Sequence, residues 1–263
     1  MATTHANGRI PIPREHGGWA MLLTPSIVAM LSAGPSLLGI LALLGWVAGY
    51  CVRGPVEVLR GTGASGKAGM ARTTPQAARI GLLLFGGLAI AFLGPVIILR
   101  PWSIALLAVA LVVLTIVQRL ADRGLTRSIT AGLLAVVGLM AGGPLYYLAA
   151  TGRIPAEGWV VAITSAAFFG GSVFRVKTLA RERRSAGFRG LSVAVHLAAF
   201  AFAAVAAAVR TVPWLVPVAL LPALFWSIYG AARGGAAMNL NVIGKGEQWL
   251  TILFGALLIV ALI

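Results

Sequence analysis

Nine apolar runs dominate the chain, over roughly 18–33, 36–52, 79–99, 102–119, 128–150, 158–176, 190–209, 212–232 and 247–263. Each is close to the ~20 residues a helix needs to cross a bilayer. Inside lipid every backbone N–H and C=O must be satisfied within the protein, which leaves only helices and closed barrels. These runs are too long and too continuously apolar for barrel strands, so the reading is an all-α, polytopic membrane protein. Composition supports this: 59% of residues are hydrophobic and 10% charged, with a mean hydropathy of +0.95, against roughly 25% charged in soluble domains. A cytosolic enzyme, a disordered chain and a disulfide scaffold are all excluded, the last because Cys51 is the only cysteine. The first run contains Pro25 and passes through the short turn Ser32–Ser36 into the second, so it reads as a retained span rather than a signal peptide. The expected organisation is one transmembrane domain over 1–263, with 1–13 as a mobile N-terminal tail.

The basic residues sort by side. Two precede the first span, and five lie between the second and third. Three follow between the fourth and fifth, six between the sixth and seventh, and two between the eighth and ninth. Eighteen of the 21 thus fall on one side, leaving Arg100, Arg153 and Arg210 on the other. Such a bias marks the cytoplasmic face. It predicts a multi-pass protein of the bacterial inner (cell) membrane with the N-terminus cytoplasmic and the C-terminus outside. Trp19, Trp102, Trp159, Trp214 and Trp249 stand at span ends, as an interfacial belt requires.

Five of the six acids, Glu15, Glu57, Asp122, Glu182 and Glu247, share the basic side, so any polar site should open there. Four groups stand where spans enter the bilayer. The first is Arg14-Glu15-His16 before Gly17-Gly18. The second is Arg53, Glu57 and Arg60, whose spacings of 4 and 3 give one helical face unless Pro55 distorts or ends the helix. The third is Arg175, Lys177 and Arg181 at the end of the sixth span. The fourth is Lys245 and Glu247, bracketing the start of the ninth, where helix N–H groups can bind anions. Arg127 joins them from the loop after the fourth span. His196, about two turns inside the seventh span, should face the bundle interior as a functional group or as a helix–helix hydrogen bond. Interface anchoring and snorkelling toward headgroups are the alternatives for the bases.

No CxxC, HExxH, P-loop or G-x-S-x-G motif occurs, and three histidines with one cysteine offer no dedicated metal site. These residues leave the cofactor unknown, and nucleic-acid binding has no supporting fold despite a pI near 11.7.

The segments PREHGGWAMLLTP, RGLTRS, VKTLARER, SVAVH and IGKGEQ resemble those of YwiC-like membrane proteins. More distantly, the span count and the polar ends of spans two and six are similar to the UbiA prenyltransferase superfamily. That resemblance implies a nine-helix bundle with an inner-facing cavity. The superfamily's aspartates, which hold magnesium and a prenyl diphosphate, would fall here on Tyr50, Arg53 and Glu57, and on Phe174, Lys177 and Arg181. One carboxylate in six positions does not make a magnesium site; the bases could hold an anionic head directly.

The functional reading is a cytoplasm-facing intramembrane cavity for an amphipathic anionic ligand, lipid, prenyl or quinone-like, in a divergent UbiA-like protein without the aspartate motifs. Arg14, Arg53, Arg60, Arg127, Arg175, Lys177, Arg181, Lys245 and Glu247 would bind it. Glu15, His16, Glu57 and His196 would move protons or orient it, and spans one, two, five and six would form an apolar wall. The alternatives are a small-solute or anion transporter, for which Pro25, Pro95, Pro144, Pro217 and Pro222 inside spans speak, and a non-catalytic assembly partner. Membrane lipids are the expected surroundings in every case.

Overall fold

The computed structural model describes residues 10–13, 16–61, 73–125, 128–233 and 238–263, with the backbone alone at residue 16. Among these there are ten α-helices and no strand: α1 His16–Ala33, α2 Leu37–Arg60, α3 Pro75–Leu99, α4 Ser103–Asp122, α5 Ile129–Met140, α6 Gly142–Thr151, α7 Ala156–Ala180, α8 Ala186–Ala208, α9 Leu215–Ala232 and α10 Leu240–Leu262. α5 and α6 are two halves of one apolar stretch, Ile129–Thr151. The ten helices therefore make nine spans, eight of them long and apolar enough to cross a membrane and α1 shorter. Short polar side chains start many of them. Ser36, Thr74, Ser128, Ser185 and Asn239 each accept a hydrogen bond from a first-turn backbone N–H.

Three details depart from the sequence reading. α2 does not stop near residue 52; it passes through Pro55 and ends at Gly61, whose φ of 66° closes it. Proline removes one backbone donor, yet the helix runs on through it, with Pro11, Pro13 and Gly81 packed at that level. α10 begins at Leu240 rather than 247, capped by Asn239, so Lys245 and Glu247 lie inside the helix and do not bracket its start. Ile10–Pro13, within the stretch expected to be tail, instead run against the helices. A Cβ on Gly54 would meet the Pro11 carbonyl at 2.6 Å, and Trp19 Nε1 donates to the Pro13 carbonyl at 2.9 Å.

α1 occupies the middle of the bundle, packed on α5, α6, α7 and α10 and touching α2. On one flank α2 lies tightly along α3, where Gly45 leaves room for Leu93. Small residues permit such approach where lipid supplies no hydrophobic drive between helices. On the other flank α7, α8, α9 and α10 pack on one another. α4 leans on α5 and only lightly on α3 and α6. α3 and α4 turn most of their apolar surface outward: Leu83, Ile90 and Ile98 on α3 are each at least 76% exposed. That is the surface lipid would cover.

The fifth span breaks at Ala141 because α6 presses inward. A Cβ on Gly142 would come within 2.5 Å of Ser26 Oγ, and one on Gly143 within 2.9 Å of Val161. α6 is then fastened to the turn between α1 and α2. Tyr146 Oη donates to the Gly34 carbonyl at 3.2 Å, and Tyr147 Oη meets Ser32 Oγ at 2.6 Å. Ser32 also donates to Val28 O at 2.7 Å, so Tyr147→Phe orphans little. We expect it to cost about 0.6–1 kcal/mol, read as a slightly lower unfolding midpoint in detergent.

Candidate functional site

Arg175 lies near the end of α7 and is 1% exposed. Its guanidinium grips Glu247 of α10 with both prongs, Nε to Oε1 at 2.7 Å and Nη2 to Oε2 at 2.6 Å. Its remaining nitrogen, Nη1, lies 2.6 Å from His196 Nε2 on α8. His196 Nδ1 is 2.7 Å from the Ser192 carbonyl. A carbonyl only accepts and a guanidinium only donates, so these contacts assign a neutral imidazole protonated on Nδ1. Ser172, one turn before Arg175, donates to Glu247 Oε2 at 2.7 Å.

Helix periodicity aligns the supporting groups. Phe168, Gly171, Ser172 and Arg175 share one face of α7, and Glu247, Thr251, Phe254 and Leu258 share one face of α10. Phe168 stacks on Phe254 with centroids 4.2 Å apart, and the Arg175 guanidinium carbon sits 5.8 Å from the Phe168 ring centre. A charge taken out of water needs a partner and full hydrogen bonding. Arg175 has both, and the three helices are thereby tied at one level. The result is a charge network whose members satisfy one another, and none of them lines either of the two hollows beside Arg53 and Arg60.

The second group is built on α2. Arg53 Nε donates to Glu57 Oε1 at 2.6 Å, one helical turn apart, and Glu57 is 3% exposed. Tyr50, a turn earlier, meets the Trp19 ring edge-on at 5.2 Å. Toward the bundle, Tyr50 and Arg53 border a cavity of about 290 Å³. Leu22 of α1, Gly45, Trp46 and Gly49 of α2, Leu93 of α3, residues 107–117 of α4 and Ala135, Gly138 and Leu139 of α5 supply the rest of its wall. The wall is apolar except for Arg53, Tyr50 and the Trp46 indole, whose Nε1 is buried without a hydrogen-bond partner among the described residues.

The sequence-derived candidates thus divide. Arg175, His196 and Glu247 meet; Arg53 and Glu57 meet elsewhere. α2 and α7 are not packed on each other, and the cavity beside Arg53 is lined by none of Arg175, Lys177, Arg181 or His196. Spans one, two and five contribute to its wall as expected, the sixth does not, and the third and fourth do. The Lys177 side chain is half-buried, Arg181 and Lys245 are exposed, and none of the three makes a side-chain hydrogen bond or ion pair among the described residues. Arg60, exposed at the end of α2, borders a separate polar hollow. Arg14, Glu15, Arg127 and the side chain of His16 lie outside the described residues. Sequence reasoning overlooked Ser172, Ser192 and the Phe168–Phe254 stack. Only the one-turn spacing of Phe168, Ser172 and Arg175 could have pointed to them.

Among known proteins, the family model for "YwiC-like protein" matches residues 12–147. That range contains α1–α5, and with them every residue lining the cavity beside Arg53. A protein of Bacillus subtilis (strain 168) described as "Uncharacterized protein YwiC" is 28% identical over 190 residues, covering 71% of this chain and 74% of that protein. No solved structure matches the chain.

Proposed function

The chain belongs to the YwiC-like protein family, and on that premise we propose that it is a multi-pass protein of the bacterial inner membrane, its basic end in the cytoplasm, that binds an amphipathic anion between its helices. The observation that carries this reading is the apolar cavity of about 290 Å³ with Arg53 at its edge. Small-ligand sites are mostly apolar hollows with a few convergent polar groups, starting at about 300 Å³. An apolar chain would fill the hollow, and Arg53 would take the charged head as a bidentate donor. Glu57, which accepts from Arg53 Nε at 2.6 Å, would orient that guanidinium toward the head. Arg175, His196 and Glu247 satisfy one another, and their part in this reading is to hold α7, α8 and α10 in place.

Native mass spectrometry of the detergent-purified protein tests the proposal. Wild type is expected to retain an amphiphile. Ala110→Phe, which puts a ring into the hollow from α4, is expected to lose it with an unchanged unfolding midpoint. Arg53→Ala is expected to weaken retention about tenfold or more, the scale of one charged hydrogen bond. A wild-type protein that carries nothing, or equal loading in Ala110→Phe, would refute the proposal. Uptake of a labelled anion into proteoliposomes would favour the transporter instead.

A further inference from the structure

A second hollow lies further along two of the helices that border the cavity beside Arg53. Arg53 and Arg60 are seven residues apart on α2, two helical turns and about 10 Å along its axis. Beside Arg60 opens a second hollow of about 400 Å³, lined by Arg60 of α2 and by Thr115, Arg119, Asp122 and Arg123 at the end of α4. The first hollow is lined on the same two helices by Val52 and Arg53, and by Leu114 and Val117. The two therefore follow one another along the seam between α2 and α4, helices that are not among those closely packed on each other. The seam is greasy over its first part and polar over its last.

Charge is unbalanced at that polar end. The ion pairs among the described residues are Arg53–Glu57 and Arg175–Glu247, so no carboxylate is paired with Arg60, Arg119 or Arg123. The carboxylate present, Asp122, accepts from Gln118 Nε2 at 3.3 Å. Thr115 and Arg119 stand one turn apart, as do Arg119 and Arg123. Two arginines on one helix turn toward the hollow that a third borders from α2. Three arginines against one carboxylate, Asp122, leave this solvent-exposed hollow net positive and suited to an anion. The planar fork of arginine suits the oxygens of a phosphate better than a single carboxylate does.

We propose that this hollow is a phosphate-headgroup site, and that its occupant is an anionic phospholipid of the surrounding leaflet. One chain of that lipid lies in the apolar cavity, and its phosphate is held by Arg60, Arg119 and Arg123; the Thr115 hydroxyl, which borders the hollow, donates to the Leu111 carbonyl at 2.8 Å and is not a donor to the phosphate. The inference rests on the cavity reading above and makes it specific. It names the class of head and adds three arginines further along the seam to the contact that Arg53 makes. Basic pockets between spans are where such heads are recognised.

The test uses the full chain, purified in detergent and titrated in native mass spectrometry with phosphatidylglycerol and, separately, phosphatidylcholine. Wild type is expected to bind phosphatidylglycerol in preference. The triple variant Arg60→Gln, Arg119→Gln, Arg123→Gln is expected to lose that preference by on the order of a hundredfold, while its weaker binding of zwitterionic phosphatidylcholine falls much less. The matching triple lysine variant keeps the charge and should retain most of the preference; it and the single change Arg119→Gln, expected to lose severalfold, cover the case where the glutamine triple does not insert. An undiminished preference in the glutamine variants overturns the inference. If the preference is undiminished while Ala110→Phe still loses lipid, the cavity reading survives and the headgroup site falls. If the glutamine triple loses the preference but Ala110→Phe binds normally, the headgroup site stands and the cavity reading falls. Full competition by inorganic phosphate at equal concentration would mean a free-phosphate site and overturn the lipid assignment.

Discussion

Glu247→Ala is expected to destabilise the protein by about 3–5 kcal/mol, the cost of leaving one partner of a buried ion pair uncompensated. Arg175 is 1% exposed, and three of its contacts are to Glu247 and His196. Removing the carboxylate leaves a buried guanidinium beside the Phe168 ring with His196 Nε2 as its remaining hydrogen-bond partner. The charge itself is not required for folding: replacing both partners with well-packed apolar groups is often neutral. The double variant Arg175→Met, Glu247→Leu is therefore expected to recover most of the loss. Thermal unfolding in detergent separates the cases. A Glu247→Ala protein that melts like wild type would show that the network does not hold α7 to α10. Ser172→Ala, which takes one donor from a carboxylate still gripped by Arg175, is expected to cost only about 1 kcal/mol.

Gly171→Ala is expected to be the second large effect, at about 1–3 kcal/mol, the usual range for overpacking. A Cβ there would sit 2.7 Å from His196 Nε2, the atom that meets Arg175. The imidazole must move, and its bond to the guanidinium goes with it. The neighbouring glycine provides the control. A Cβ on Gly170 would find only Leu133 at 3.7 Å, ordinary contact. Gly170→Ala should thus be neutral or gain up to about 1 kcal/mol from helix propensity. Truncating the ring as well, in Gly171→Ala with His196→Ala, should recover part of the loss. Equal unfolding midpoints for the two single variants would remove the steric account.

The nine spans were legible because each apolar run is long, and the loops between them carry the polar and turn residues. His196 was legible as an interior residue for a related reason: one ionisable side chain in an apolar helix has nowhere else to go. Its partners were harder. Arg175 and Glu247 stand 72 residues apart, and local spacing says nothing about which of several basic residues reaches across the bundle. Lys177 and Arg181 looked equivalent to Arg175 in the sequence, yet the rotation of α7 buries one and leaves the others at its rim. Pro55 left two outcomes open. The local rule allowed a distortion or an end there, and the helix runs on through it, packed at that level against Pro11 and Gly81. The separation of Arg53 from Arg175 was invisible altogether, since it depends on α1 lying between the two flanks.

The tyrosine pair on α6 gives the bundle a lever. Tyr146 and Tyr147 pin the corner where α1 turns into α2, and α2 runs 24 residues from that pin. At 1.5 Å per residue its far tip lies about 36 Å away. Rocking the rod by a mere 5° about the pinned corner would swing Arg60 by about 3 Å, while Gly34 stayed almost still. A tilt too small to register at the pinned corner would thus be read at the far end as a shift of about one hydrogen-bond length in Arg60.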